Sequence, residues 1–280
     1  MKDIPRFNMA KLFPVLMALT AYTMLSLGFV LMKKGVHWMG WKEKKNGLYY
    51  HNLFIWTIGF LIMNIYGLPS AIALKSLSPH IVAAFAGWGI VMLVLFSFLI
   101  LKEKIYPSDY FYAFLVVVGI FLLAFFEKKV GLSSAYQRIN SLGLLLLCLL
   151  PLFVLLLGVV KPLSKWKKFV GLAAVSGMAA GMMVVTLRLL VMQMGYHVSL
   201  YFSSWYLYLY IFFALLSLVA LQLALKSGSM IAIGPVQYAA NIIYPLCATL
   251  LVFQQSIHWV QGVAVVVIVF AVVAILKKHE

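Results

Sequence analysis

Apolar residues run almost unbroken through nine stretches of this chain, at residues 12–32, 53–74, 81–101, 110–126, 142–160, 169–194, 205–225, 231–253 and 257–276. Roughly 20 apolar residues, at about 1.5 Å of rise each, cross the hydrocarbon of a bilayer as a helix. Each stretch therefore predicts a membrane-spanning helix. The intervening segments leave no room for a soluble domain, so the expected fold is an all-α integral membrane protein of about nine transmembrane helices. The first stretch ends in Met32-Lys33-Lys34 without a small-residue cleavage site, and is expected to be retained as a helix rather than removed as a signal peptide.

The pattern repeats. Ala73-Leu74-Lys75-Ser76-Leu77-Ser78 recurs 151 positions later as Ala224-Leu225-Lys226-Ser227-Gly228-Ser229, with five of six residues identical. Carried forward, the same offset lays the third apolar stretch on the eighth and the fourth on the ninth. The chain thus reads as a duplicated membrane module, residues 1–130 with four helices and residues 131–280 with five. Five spans separate corresponding helices, and an odd number inverts the second copy relative to the first. An inverted repeat in a membrane protein points to a transporter whose binding site lies at the repeat interface. The hairpin tips agree: Leu101-Lys102-Glu103-Lys104 lands on Val252-Phe253-Gln254-Gln255, and loss of the lysines is what an outward tip requires.

Composition makes the membrane reading firm, since a chain 65% hydrophobic and only 10% charged, with mean hydropathy +1.06, cannot hide its apolar surface in one soluble core. The net charge of +16 would suggest nucleic acid in a soluble protein. Here the cations sit in loops, where they set orientation and meet anionic lipid headgroups, so membrane lipid is an expected partner and nucleic acid is not. With the N-terminus outside, fourteen basic residues fall on inner segments and seven on outer ones. That bias predicts a multi-pass protein of the cell (inner or cytoplasmic) membrane with its C-terminus in the cytoplasm.

Candidate chemistry is sparse. The acids Asp3, Glu43, Glu103, Asp109, Glu127 and Glu280 all lie in tails, loops or helix ends, and Glu103 is expected to pair with its lysine neighbours at a wet hairpin tip. Cys148 and Cys247 fall inside apolar runs, and the six histidines show no metal-ligand spacing. No nucleophile or phosphate loop stands out, so neither an enzyme nor a cofactor is expected. Arg188 is the one formal charge well inside a span, and burying it costs about 2.5–3.5 kcal/mol on insertion scales unless it faces a cavity or a partner. It is expected to bind solute, with snorkelling to the headgroups as the competing role. Gln237, Tyr238, Asn241 and Tyr244 form a polar cluster at helical spacing, bracketed by Pro235 and Pro245. Asn64, Tyr66 and Trp88 are the candidates in the first copy, Trp88 standing among small residues that permit close helix approach. Gly177-Met178-Ala179-Ala180-Gly181 predicts tight packing, either within the chain or at a homodimer seam. The aromatic segment from Tyr201 to Tyr210 reads as an interfacial anchor.

The first-copy sequence, an apolar helix, Ala73-Leu74-Lys75-Ser76-Leu77-Ser78-Pro79, a second apolar helix, Leu101-Lys102-Glu103-Lys104 and a short final helix, resembles the drug/metabolite transporter superfamily. Its EamA-type members carry a similar turn and acidic-basic tip in each half, usually over ten helices. The nine-helix count and a first span ending Leu31-Met32-Lys33-Lys34-Gly35 look more like the NIPA-like branch, associated with magnesium transport. The resemblance covers most of the chain. It implies alternating-access transport, and Arg188 as sole interior charge favours a small polar solute that is anionic or zwitterionic. Magnesium prefers carboxylate oxygens, and no span carries one. A membrane subunit without transport is the remaining alternative.

Overall fold

The computed structural model describes residues 9–39, 47–74, 85–126, 139–160, 164–194, 198–254 and 258–278. All regular structure among these residues is helical. Ten α-helices follow in order: α1 Met9–Gly35, α2 Gly47–Ile65, α3 Gly67–Leu74, α4 Ala86–Phe96, α5 Pro107–Phe125, α6 Ser141–Val160, α7 Lys165–Met194, α8 Trp205–Ser227, α9 Met230–Leu251 and α10 Trp259–Lys278. A π-helical turn, Ser97–Leu101, extends α4. Six helical segments are long and apolar enough to cross a bilayer, namely Phe13–Gly35, Leu48–Ser70, Lys167–Met194, Trp205–Ser227, Met230–Leu251 and Trp259–Lys278. Gly87–Leu101, Pro107–Leu122 and Ser141–Leu157 are shorter apolar helices.

One expected helix is broken. The stretch at residues 53–74 divides at Tyr66 into α2 and α3, because Pro69 has no N–H to give the Ile65 carbonyl and its ring crowds that group, while Gly67 lets the chain turn. Elsewhere the described parts of the apolar runs are helical except at their ends, and residues 81–84 and 257 of the expected spans lie outside the described residues.

Burial divides the helices into inner and outer ones. In α9, 61% of the apolar window is buried, against 6% in the segment containing α2, so α9 forms the centre and α2 an edge. Large apolar side chains such as Phe54, Phe114, Phe153, Leu215, Val266 and Phe270 are exposed. Together they form far more apolar surface than a soluble monomer tolerates. Acyl chains cover such a surface at no cost.

α1 packs on α2, α3 and α4, while α7 packs on α8, α9 and α6; α4 meets α9, and α5 lies along α10. The glycine pattern of α7 belongs to an intramolecular contact: a methyl added at Gly177 would lie 2.4 Å from the Gln237 carbonyl oxygen, and one at Gly181 would lie 2.8 Å from Tyr244 Cβ. Only glycine lets α7 come this close to the α9 backbone.

The two hairpin tips match in detail. Lys102 and Gln254 are the two positive-φ non-glycine residues among those described, at 55° and 51°. Four residues beyond each, the next helix begins with the same cap. The Tyr106 N–H donates to Asp109 Oδ2 at 2.9 Å and the His258 N–H to Gln261 Oε1 at 3.0 Å. Asp109 and Gln261 are both buried, at 1% and 5% exposure. These pairs stand 152 positions apart, one more than the hexapeptides, so the tips correspond as Lys102 to Gln254 and Glu103 to Gln255, a register one residue away from the sequence expectation.

Glu103 does not pair with its lysine neighbours. Its carboxylate accepts the N–H groups of Met230 at 2.8 Å and Ile231 at 3.1 Å, the first residues of α9. An anion there satisfies otherwise orphaned donors and complements the positive end of the helix dipole, worth up to about 2 kcal/mol when partly buried.

Candidate functional site

Polar side chains from both halves meet where α1, α4 and α9 approach one another. From α1 come Tyr22, Thr23 and Ser26, at spacings that place Tyr22 and Ser26 on one helix face. The Ser26 hydroxyl donates to the Gly89 carbonyl of α4 at 2.6 Å, and the Trp88 indole donates to the Thr23 hydroxyl at 3.0 Å. Tyr238 enters from α9. It is buried and packs edge-on against Phe29 with ring centroids 6.1 Å apart, and its buried hydroxyl has no hydrogen-bond partner in the structure.

Gly89 makes this convergence possible. A methyl there would lie 3.2 Å from the Tyr238 hydroxyl, 3.4 Å from the Ser26 hydroxyl and 3.4 Å from the Tyr22 ring. Tyr66 lies at the break between α2 and α3. The result is an uncharged, closely packed seam of phenol, hydroxyl, indole and backbone carbonyl.

The expected site residues divide among different environments. Tyr238 and Trp88 gather at the seam, and Tyr66 stands at the α2–α3 break. Gln237 is buried beside the α7 contact, and one turn further Asn241 has a buried Oδ1 without a hydrogen-bond partner in the structure. Tyr244 is occupied structurally, since its hydroxyl donates to the Leu147 carbonyl of α6 at 2.5 Å. Leu147 offers that carbonyl because Pro151, four residues on, has no N–H to bond it. Asn64 is exposed and its amide bonds back to the Phe60 carbonyl at 2.7 Å. Arg188 lies over the Phe253 ring, 4.6 Å from its centroid. Phe253 lies two residues past the end of α9, whose last residue, Leu251, is 13 residues or about 20 Å beyond Tyr238 along the helix axis.

Tyr22, Thr23 and Ser26 were not among the expected site residues. Their signal was a polar stripe inside an apolar span, weaker than Arg188's charge but better placed. A second polar contact joins the edges of the halves: the Trp56 indole of α2 donates to Gln222 Oε1 of α8 at 2.8 Å, leaving the buried Gln222 Nε2 without a hydrogen-bond partner in the structure. Among the described residues, no three His, Cys, Asp or Glu side chains converge as a metal site would require. No family model, no curated protein and no solved structure matches the chain.

Proposed function

We propose that the chain is a multi-pass membrane transporter of the drug/metabolite type, which moves a small polar solute by alternating access between two inverted halves, residues 1–130 and 131–280. The seam carries this reading. It draws polar groups from α1 and α4 on one side and α9 on the other, Ser26 and Tyr238 buried and Trp88 at the exposed edge, beside the interrupted α2–α3 pair. Discontinuous helices and polar groups at a repeat interface are the usual setting of a transporter's binding site. The matched hairpin tips support the duplication, and their exchange of Lys102 and Glu103 for Gln254 and Gln255 supports the inversion, with the Lys102 tip and C-terminus in the cytoplasm and the N-terminus outside.

The seam also bears on the solute. A buried net charge needs an opposite charge nearby, and the groups around Tyr238 are uncharged. A neutral or zwitterionic solute suits them better than an anion, since Arg188, the reason to expect an anion, rests on Phe253 past the far end of α9, about 20 Å along that helix from Tyr238.

Proteoliposome uptake of labelled zwitterionic amino acids, nucleosides, organic anions and magnesium ions tests the reading. Saturable uptake of one neutral or zwitterionic class is expected. Tyr238→Phe should lower its affinity about tenfold, the effect of losing one buried hydrogen bond. Absence of uptake of every class by folded, reconstituted protein would reject the transporter reading, and uptake of magnesium alone would favour the cation reading.

A further inference from the structure

Two opposite charges of the first half meet the turn between α8 and α9. The Lys33 ammonium, at the end of α1, donates to the carbonyls of Leu225 and Gly228 at the C-terminal end of α8. Glu103, just beyond α4, accepts from the first two N–H groups of α9, Met230 at 2.8 Å and Ile231 at 3.1 Å. Each charge thus opposes the partial charge of the helix end it meets. The turn between them is the second copy of the repeated hexapeptide. Both contacts lie on the helices that build the seam. Lys33 is seven residues, about 10 Å, beyond Ser26 on α1, and Met230 is eight residues, about 12 Å, before Tyr238 on α9. The seam ends at this clasp.

We propose that Lys33 and Glu103 form a latch closing one mouth of the seam, an inference that rests on the transport reading. Opening that mouth requires the α8–α9 turn to leave both charges, so the latch sets how much of the time the mouth is shut. The device is one-sided. In sequence the second tip, Gln254-Gln255, carries no carboxylate like Glu103, so an equivalent ionic contact is not expected at the opposite mouth. Removing the latch should therefore bias the protein toward opening at the Lys33 face only.

The test uses reconstituted full-length protein with both native cysteines replaced and a single probe, Ser26→Cys, exposed to a membrane-impermeant maleimide from each face in turn. Glu103→Gln should raise the labelling rate from the Lys33 face about tenfold, the population shift expected on losing one charge-assisted contact. Labelling from the opposite face should fall or stay unchanged. Lys33→Gln repeats the test from the other charge and decides it if Glu103→Gln fails to fold. Labelling from both faces at rates that neither substitution changes would overturn the latch while leaving alternating access intact. Labelling from neither face in any variant would overturn the latch and the transport reading together.

Discussion

Tyr244 takes its role from a proton that another helix lacks. Pro151 leaves the Leu147 carbonyl without its intrahelical donor, and the Tyr244 hydroxyl supplies one across the α6–α9 contact. Tyr244→Phe should cost about 1–3 kcal/mol, the penalty of an unsatisfied buried acceptor. Pro151→Ala restores the missing N–H, so the double variant should recover much of that loss. Additive losses in thermal or denaturant unfolding of the purified protein would show that Leu147 is not the shared partner. Gly89 is the complementary case, a residue whose contribution is space. Gly89→Ala brings a methyl within 3.2 Å of the Tyr238 hydroxyl, and solute affinity should fall with little change in stability. A fall in stability with unchanged affinity would remove Gly89 from the seam's function.

At the scale of helices, two devices set the geometry. The first is the cap at the start of α5 and α10, where Asp109 and Gln261 each return a side-chain oxygen to the backbone N–H three residues earlier. Such caps contribute about 1 kcal/mol. Asp109→Ala and Gln261→Ala should each lower stability by about that amount, measured as a shift in unfolding midpoint, and the two losses should add because the sites lie at different hairpin tips. The second device is the glycine face of α7. Gly181→Leu places a branched side chain where 2.8 Å separates even a methyl from Tyr244, so α7 must move away from α9. A correctly folded Gly181→Leu protein with the stability of the parent would contradict the close contact.

For the whole molecule, the central question is which ends lie together. Glu103 meets the first residues of α9 and Gln254 lies past its last, so α9 holds them apart by about 33 Å, one bilayer core. Cysteines introduced at Lys104 and Gln254 in a cysteine-free background should therefore react from opposite faces of a membrane, Lys104 from the cytoplasmic side. Reaction of both from one face would break the inverted arrangement. The rest of that end is consistent: Lys33 meets Gly228, and Lys278 bonds Ser108 while lying 4.5 Å from the Tyr106 ring centroid. Lysines thus collect at the end that the positive-inside bias assigns to the cytoplasm.

Helix formation and membrane character were determined by the sequence alone. Apolar runs of this length satisfy their backbone only as helices in lipid, and local composition is sufficient to see them. The proposed duplication rests on a hexapeptide repeated as letters, and residues 75–78 of its first copy lie outside the described residues. Charge drew attention to Arg188, the most costly residue to bury, and proline to the cluster on α9. Their partners were decided by tertiary structure. Nothing local says that Glu103 leaves its lysine neighbours for the start of α9, that Arg188 finds Phe253, or that Tyr244 answers a proline in α6. The seam escaped notice for the same reason. Tyr22, Ser26 and Tyr238 are ordinary residues separately, and they become a site only where Gly89 lets three helices approach. Hydrophobicity and helix propensity accumulate along the chain, whereas hydrogen-bond partners and helix dipoles act across space, and only packing of α1, α4 and α9 brings those groups within reach of one another.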